Sequence, residues 1–121
     1  MLVEDSELEI LKNKLKGYNK DEIEYNEKDN HCTINSIRRG VSFKEVESNL
    51  LNPEKLKFAI REESKLPNEE KYTLYYESED SGKTIVLPVV LKPKNLYVLT
   101  IIKRWRRWDK EIERWKERLQ K

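Results

Sequence analysis

Residues 31–53 read HCTINSIRRGVSFKEVESNLLNP, and the reading of this stretch decides the fold. Ile34, Ile37 and Val41 recur at helical spacing, which predicts a helix from about His31 to Arg39 with these residues on its core face. Gly40 supplies the left-handed residue that ends a helix at little cost. The opposite face collects His31, Asn35 and Arg39 at successive i, i+4 steps. A second helix follows at once. Ser42 and Glu45 have the capping-box spacing, and Val41 and Val46 are placed as its hydrophobic staple. Phe43, Val46 and Leu50 then face the core until Asn52-Pro53 stops the helix.

Beyond Pro53 the hydrophobic period shortens to that of strands. Residues 56–60 alternate, residues 71–78 are aromatic and β-branched, and Glu79-Asp80-Ser81-Gly82 supplies a turn. Residues 84–91 are apolar on both faces. Pro88 within them cannot donate to a ladder, so an edge strand or a bulge is expected there. Lys92-Pro93-Lys94-Asn95 reads as a tight turn into a fourth strand, residues 96–103. Strands joined by short turns predict an antiparallel meander. Upstream, Leu8, Leu11, Leu15 and Tyr18 mark a helix with Ser6 as N-cap and Gly17 as stop, and residues 22–25 suggest a short strand. The expectation is one α+β domain over residues 1–121. Two helices precede a four-stranded antiparallel sheet, and helices at residues 1–18 and 104–121 are added to a 22–103 core.

Composition limits the function classes. Charged residues make up 40% of the chain and hydrophobic ones 36%, yet the net charge is only +2. Its distribution is uneven, with −4 over residues 1–30 and +5 over residues 103–121. A Lys/Glu-rich surface with three Gly is a thermophile-like trait. Cys32 and His31 are the only residues of their kinds, too few for a tetrahedral zinc site, and a lone cysteine fits a reducing compartment. No glycine-rich phosphate loop is present, so neither metal nor cofactor is expected. The longest apolar run, residues 85–91, is far short of the ~20 needed to span a bilayer. An acidic start argues against a secretory signal, and a cytoplasmic protein is expected.

The pattern His31, Asn35, Arg39-Gly40-Val41-Ser42, Glu45-Val46 and Leu50-Leu51-Asn52-Pro53 resembles a family of small microbial domains related to RelE/ParE-type toxins. Tyr72, opening one strand, and Tyr97-Val98-Leu99-Thr100, forming the last, extend the resemblance over roughly residues 22–103. It implies a compact RelE-like fold, two helices against a curved antiparallel sheet. It also implies action on RNA, commonly ribosome-bound mRNA, as a toxin that a protein antitoxin neutralises. Asn35 stands where the pattern has its first Arg, which removes a fixed positive charge beside the His.

Cutting RNA without metal requires an acid, a base and cations around the phosphate. His31 is the candidate acid or base, Arg39 a bidentate phosphate ligand, and Tyr72 a residue to position a base. Arg38, nearer the apolar face, would snorkel. Tyr72 and Tyr76 share one strand face and Tyr75 takes the other; either set could be core or could stack on bases. Lys103, Arg104, Arg106, Arg107 and Lys110 form a basic run after the last strand, readable as a phosphate site or as a solvated helix face. Trp105, Trp108, Ile112, Trp115 and Leu119 repeat at heptad spacing. Such a stripe packs on its own chain, on a second copy in a homodimer, or on an antitoxin helix. The reading is thus a metal-independent endoribonuclease. Its rival is a catalytically silent module that binds RNA or protein.

Overall fold

A computed structural model describes residues 1–80 and 82–120, with backbone alone at 119 and 120. Its first helix, α1 (Asp5–Lys16), starts a residue before the expected cap, and Gly17 ends it in a right-handed conformation. Strand β1 (Ile23–Tyr25) follows, then α2 (His31–Arg39) and α3 (Phe43–Leu51). Gly40, at φ +66°, makes the corner between these two helices. Ser42 caps α3 by accepting the Glu45 amide at 3.1 Å. Strands β2 (Leu56–Glu62), β3 (Glu70–Glu77) and β4 (Thr84–Leu91) form an antiparallel meander.

The chain is α+β, but its sheet has six strands among the described residues, and it is mixed where four antiparallel strands were expected. The expected last strand is two short ones, β5 (Leu96–Val98) and β6 (Ile102–Arg104), both paired with β4. β1 joins the far side of β5 in parallel register, Ile23 opposite Leu96 and Tyr25 opposite Val98. Pro88 explains the break. Its carbonyl accepts the Leu99 amide at 2.9 Å, so it points toward the β5–β6 side. In an antiparallel pair a residue's N–H and C=O point to the same neighbour, so the donor that proline lacks belongs to that side too. β4 is therefore a central strand, and its partner is released over residues 99–101.

The core lies between one face of this sheet and α1, α2 and α3. Leu8, Leu11 and Leu15 of α1, Val46 and Leu50 of α3, and Tyr72, Leu74, Tyr76, Ile85 and Leu87 of the sheet are buried in it. Burying such side chains contributes about 1.5–3 kcal/mol each, which offsets the ordering entropy of the short helices. The N-terminal segment covers the β2 edge. Met1 and Arg61 exchange main-chain hydrogen bonds of 2.7 Å in both directions, and the Val3 amide donates to Ala59.

The second face of the sheet carries Phe58 and Tyr75, stacked at 4.1 Å with nearly parallel rings. The last helix, α4 (Trp108–Gln120), lies over this face against β3. Ile112 borders Phe58, Trp115 borders Tyr75, and Lys57 reaches the Trp108 ring. The aromatic stripe thus packs on its own sheet, with Trp108, Ile112 and Trp115 half-buried. Trp105 lies outside the stripe, because α4 starts four residues later than expected. β6 runs on to Arg104, and the Thr84 hydroxyl then holds the Arg106 carbonyl at 2.9 Å, which delays the helix. The side chain of Leu119 lies outside the described residues.

Candidate nucleic-acid interface

α2 is turned over relative to the sequence expectation. Ile34 and Ile37 are exposed, at 45% and 76%, while Cys32 is fully buried and His31, Asn35 and Ser36 are half-buried against the sheet. The reason is the strand break. Residues 99–101 present main-chain and hydroxyl groups that β4 does not satisfy, and buried polar groups must find partners. The polar face of α2 supplies them. His31 Nε2 lies 2.9 Å from Thr100 Oγ1, Cys32 Sγ lies 3.9 Å from the Leu99 carbonyl, and the Asn26 amide side chain donates to that same carbonyl. Isoleucines could satisfy none of these groups.

Asn35 completes the cluster. Its side-chain N–H2 donates to the His31 carbonyl at 3.1 Å and lies 3.3 Å from His31 Nε2. A side-chain amide has two N–H donors, so both bonds can form together only when Nε2 accepts. That arrangement, with the proton of the neutral ring on Nδ1, competes with one in which Nε2 donates to Thr100 Oγ1 and Asn35, 3.4 Å away, donates to the same oxygen. Asn35 thus sits one helical turn from His31, within reach of both its ring and the Thr100 hydroxyl.

From this cluster α2 runs alongside β6 in the same direction. The eight residue steps of helix from His31 to Arg39 span about 12 Å, and the extended chain from Thr100 to Lys103 spans about 10 Å. The two elements stay abreast. At their far end Arg38, Arg39, Lys103 and Trp105 line a groove of ≈ 360 Å³. Trp105 is 81% exposed, and Lys83 Nζ sits 4.0 Å from its ring centroid, a cation–π contact on one face. Asp80 organises the cations behind it. Its carboxylate holds Lys83 at 2.9 Å and Lys103 at 3.1 Å, and these bonds, Lys83's first, keep it below the usual carboxylate range. Arg38 and Arg39 are exposed on the other bank. Glu45 lies near the same hub; burial foremost, then Glu79, raises its carboxyl, with Lys103 and Lys55 opposing.

The remaining sequence candidates fall elsewhere. Tyr72 is buried in the core, its nearest charges being Glu70, Arg61, Lys14 and Glu7 rather than the His31 cluster. Tyr76 joins it there, with a buried hydroxyl that has no partner among the described residues. The basic run is divided by strand alternation. Lys103 and Trp105 face α2, whereas Arg104 and Arg106 turn to the α4 side and line a separate cavity. Arg107 pairs with Asp109 at 3.4 Å, and Lys110 with Glu113 at 3.6 Å, so both belong to the charge pattern of α4.

Sequence reasoning did not bring Arg38 and Trp105 to the α2–β6 groove, or Thr100 to His31. Trp105 had a signal: it stands two residues after Lys103, the spacing that puts side chains on one side of an extended chain, and the heptad reading overrode it. Among the described residues no cluster of three or more His, Cys, Asp and Glu could hold a metal, and no helix is long and apolar enough to cross a membrane. No family model matches the chain, and neither a curated protein nor a solved structure shows significant similarity to it.

Proposed function

We propose that the α2–β6 groove binds single-stranded RNA. The observation that carries this reading is the convergence of Arg38, Arg39 and Lys103, from two different elements, around the exposed ring of Trp105. Guanidinium groups bind phosphate oxygens bidentately, and a flat aromatic ring stacks on any base. The larger cleft beside residues 61–71 sets Glu62, Glu63, Glu69 and Glu70 against Arg61, Lys71 and the Met1 amine, and so offers no net positive charge to draw a polyanion. The resemblance to RelE/ParE-related domains points to RNA as the target.

The test is anisotropy of a labelled single-stranded RNA titrated with protein over a range of salt. Stacking on an aromatic contributes roughly 1–3 kcal/mol per base, so Trp105→Ala should weaken binding about 5–150-fold, and Trp105→Phe far less. Arg38→Gln and Arg39→Gln each remove a phosphate ligand, and each should flatten the log–log salt slope by about 0.7. Failure to bind at low salt, or unchanged slopes, would reject the proposal.

Metal-independent cleavage is a second reading, favoured by the position of His31 at the opposite end of α2 from the groove. Its Nε2 is already engaged by Thr100 and Asn35, so Nδ1 is the nitrogen left for substrate. Incubation of the protein with RNA in EDTA separates the two. Cutting that His31→Ala slows at least tenfold supports an endoribonuclease, and tight binding without cutting supports a silent module.

A further inference from the structure

Beneath α4, on the sheet face opposite the RNA groove, Tyr75, Arg104, Arg106, Glu111, Arg114, Trp115 and Arg118 enclose a cavity of ≈ 180 Å³. Four arginines meet one carboxylate there. That carboxylate is already neutralised, since Arg106 holds Glu111 at 3.2 Å. Among the described residues Arg104, Arg114 and Arg118 have no ion-pair partner, and they come from a strand and from two successive turns of a helix. Like charges at i, i+4, as Arg114 and Arg118 are, destabilise a helix. The helix macrodipole accounts for Arg118 in the last turn. It does not account for Arg104, which β6 directs into the same space. The Tyr75 hydroxyl is an uncharged donor at this wall. Burial raises its pKa first of all, and Glu111 adds to this, while Arg104 and Arg118 pull the other way.

We propose that this cavity is a phosphoanion-binding site, with Arg104, Arg114 and Arg118 as the charged ligands and the Tyr75 hydroxyl as a further donor. Guanidinium forks match phosphate oxygens in geometry as well as charge. Size narrows the ligand. The space falls short of the about 300 Å³ or more that drug-sized ligands need. It accommodates a phosphate or pyrophosphate but not a whole nucleotide. The phosphate can be free in solution or belong to a nucleic-acid terminus whose base remains outside. The site is independent of the α2–β6 groove, from which the sheet separates it.

Trp115 in the cavity wall supplies a readout. In a chain carrying Trp105→Phe and Trp108→Phe, its emission is followed while sodium pyrophosphate, then inorganic phosphate, is added at constant low ionic strength. The expected result is a saturable change. Arg104→Gln and Arg118→Gln should each weaken it at least about tenfold, Arg104→Lys should restore part of it, and Arg38→Gln should leave it unchanged. A linear, non-saturating response, or equal affinity in Arg104→Gln and Arg118→Gln, would overturn the proposal. Competition with 5′-phosphorylated and 5′-hydroxyl forms of one RNA identifies the source. Displacement by the phosphorylated form alone supports a site for RNA termini, and displacement by neither supports a site for the free anion.

Discussion

His31 Nε2 lies 2.9 Å from the hydroxyl of Thr100, sixty-nine residues away. Asn35 reaches the same nitrogen from one helical turn along α2. The first prediction follows from these two bonds. At alkaline pH the neutral His31 ring should carry its proton on Nδ1, visible in imidazole ¹⁵N shifts. Asn35→Ala should shift the balance toward Nε2–H, and an unchanged tautomer would mean that the Asn35 contact is not a hydrogen bond.

Cys32 tests the packing of the same helix from beneath. The thiol is fully buried, and burial foremost, then Glu27, pushes its pKa up to about 11, although a hydrogen bond involving Asn26 opposes this. Thiolate is the reactive species, so alkylation at pH 8 should be slow in the native state and should follow unfolding. A rate near that of free cysteine would show that α2 is not seated on the sheet.

The N-cap of α3 is formed by one side chain. Ser42→Ala should cost about 1 kcal/mol in urea melts, because it orphans the Glu45 amide.

The Glu45 carboxyl has a separate, pH-dependent effect. Its pKa is raised above 4.5 in the folded chain, so its contribution favours folding below that pH and is lost as pH rises through the raised value. Glu45→Gln should therefore stabilise the chain slightly at pH 7.5, by less than about 1 kcal/mol given its partial exposure, and not at pH 4. A larger benefit at pH 4 would reverse the sign and exclude this account.

Trp105 stands among Arg38, Arg39, Lys83 and Lys103, whereas Trp108 and Trp115 are half-buried against the sheet. Iodide should quench a component of the emission much more strongly than caesium does, because the groove attracts anions. That component should vanish in Trp105→Phe. Equal quenching by the two ions would place Trp105 in a neutral setting.

Pro88→Val would restore an N–H directed at the gap between β5 and β6. With no strand partner there, the half-buried donor should cost about 1 kcal/mol, the low end for an unsatisfied buried group. A neutral result by urea denaturation would indicate that the two short strands merge into one.

Much of the fold was legible because its signals are local. The Gly40 corner, the Ser42 cap, the stop at Pro53 and the alternation of residues 71–78 each depend on residues a few positions apart. The candidate site was legible only as a set of residue types. His31, Arg39 and Lys103 were singled out by their chemistry, while Arg38 was assigned to the apolar side and Trp105 to the helix. Both errors came from applying a helical period where a distant strand decides which face turns inward.

By itself the sequence determined where helices and strands lie, through periodicity, caps and breakers, and it held metal-ligating chemistry to one His and one Cys beside the carboxylates. Only the tertiary structure decided that Pro88 interrupts the partner of a central strand, and that the groups freed at residues 99–101 draw in the polar face of α2 rather than its isoleucines. Periodicity counts apolar residues and assumes that they are what a neighbour wants to bury. Here the neighbour presents unsatisfied hydrogen-bonding groups, whose cost of burial without partners outweighs the gain from covering Ile34 and Ile37.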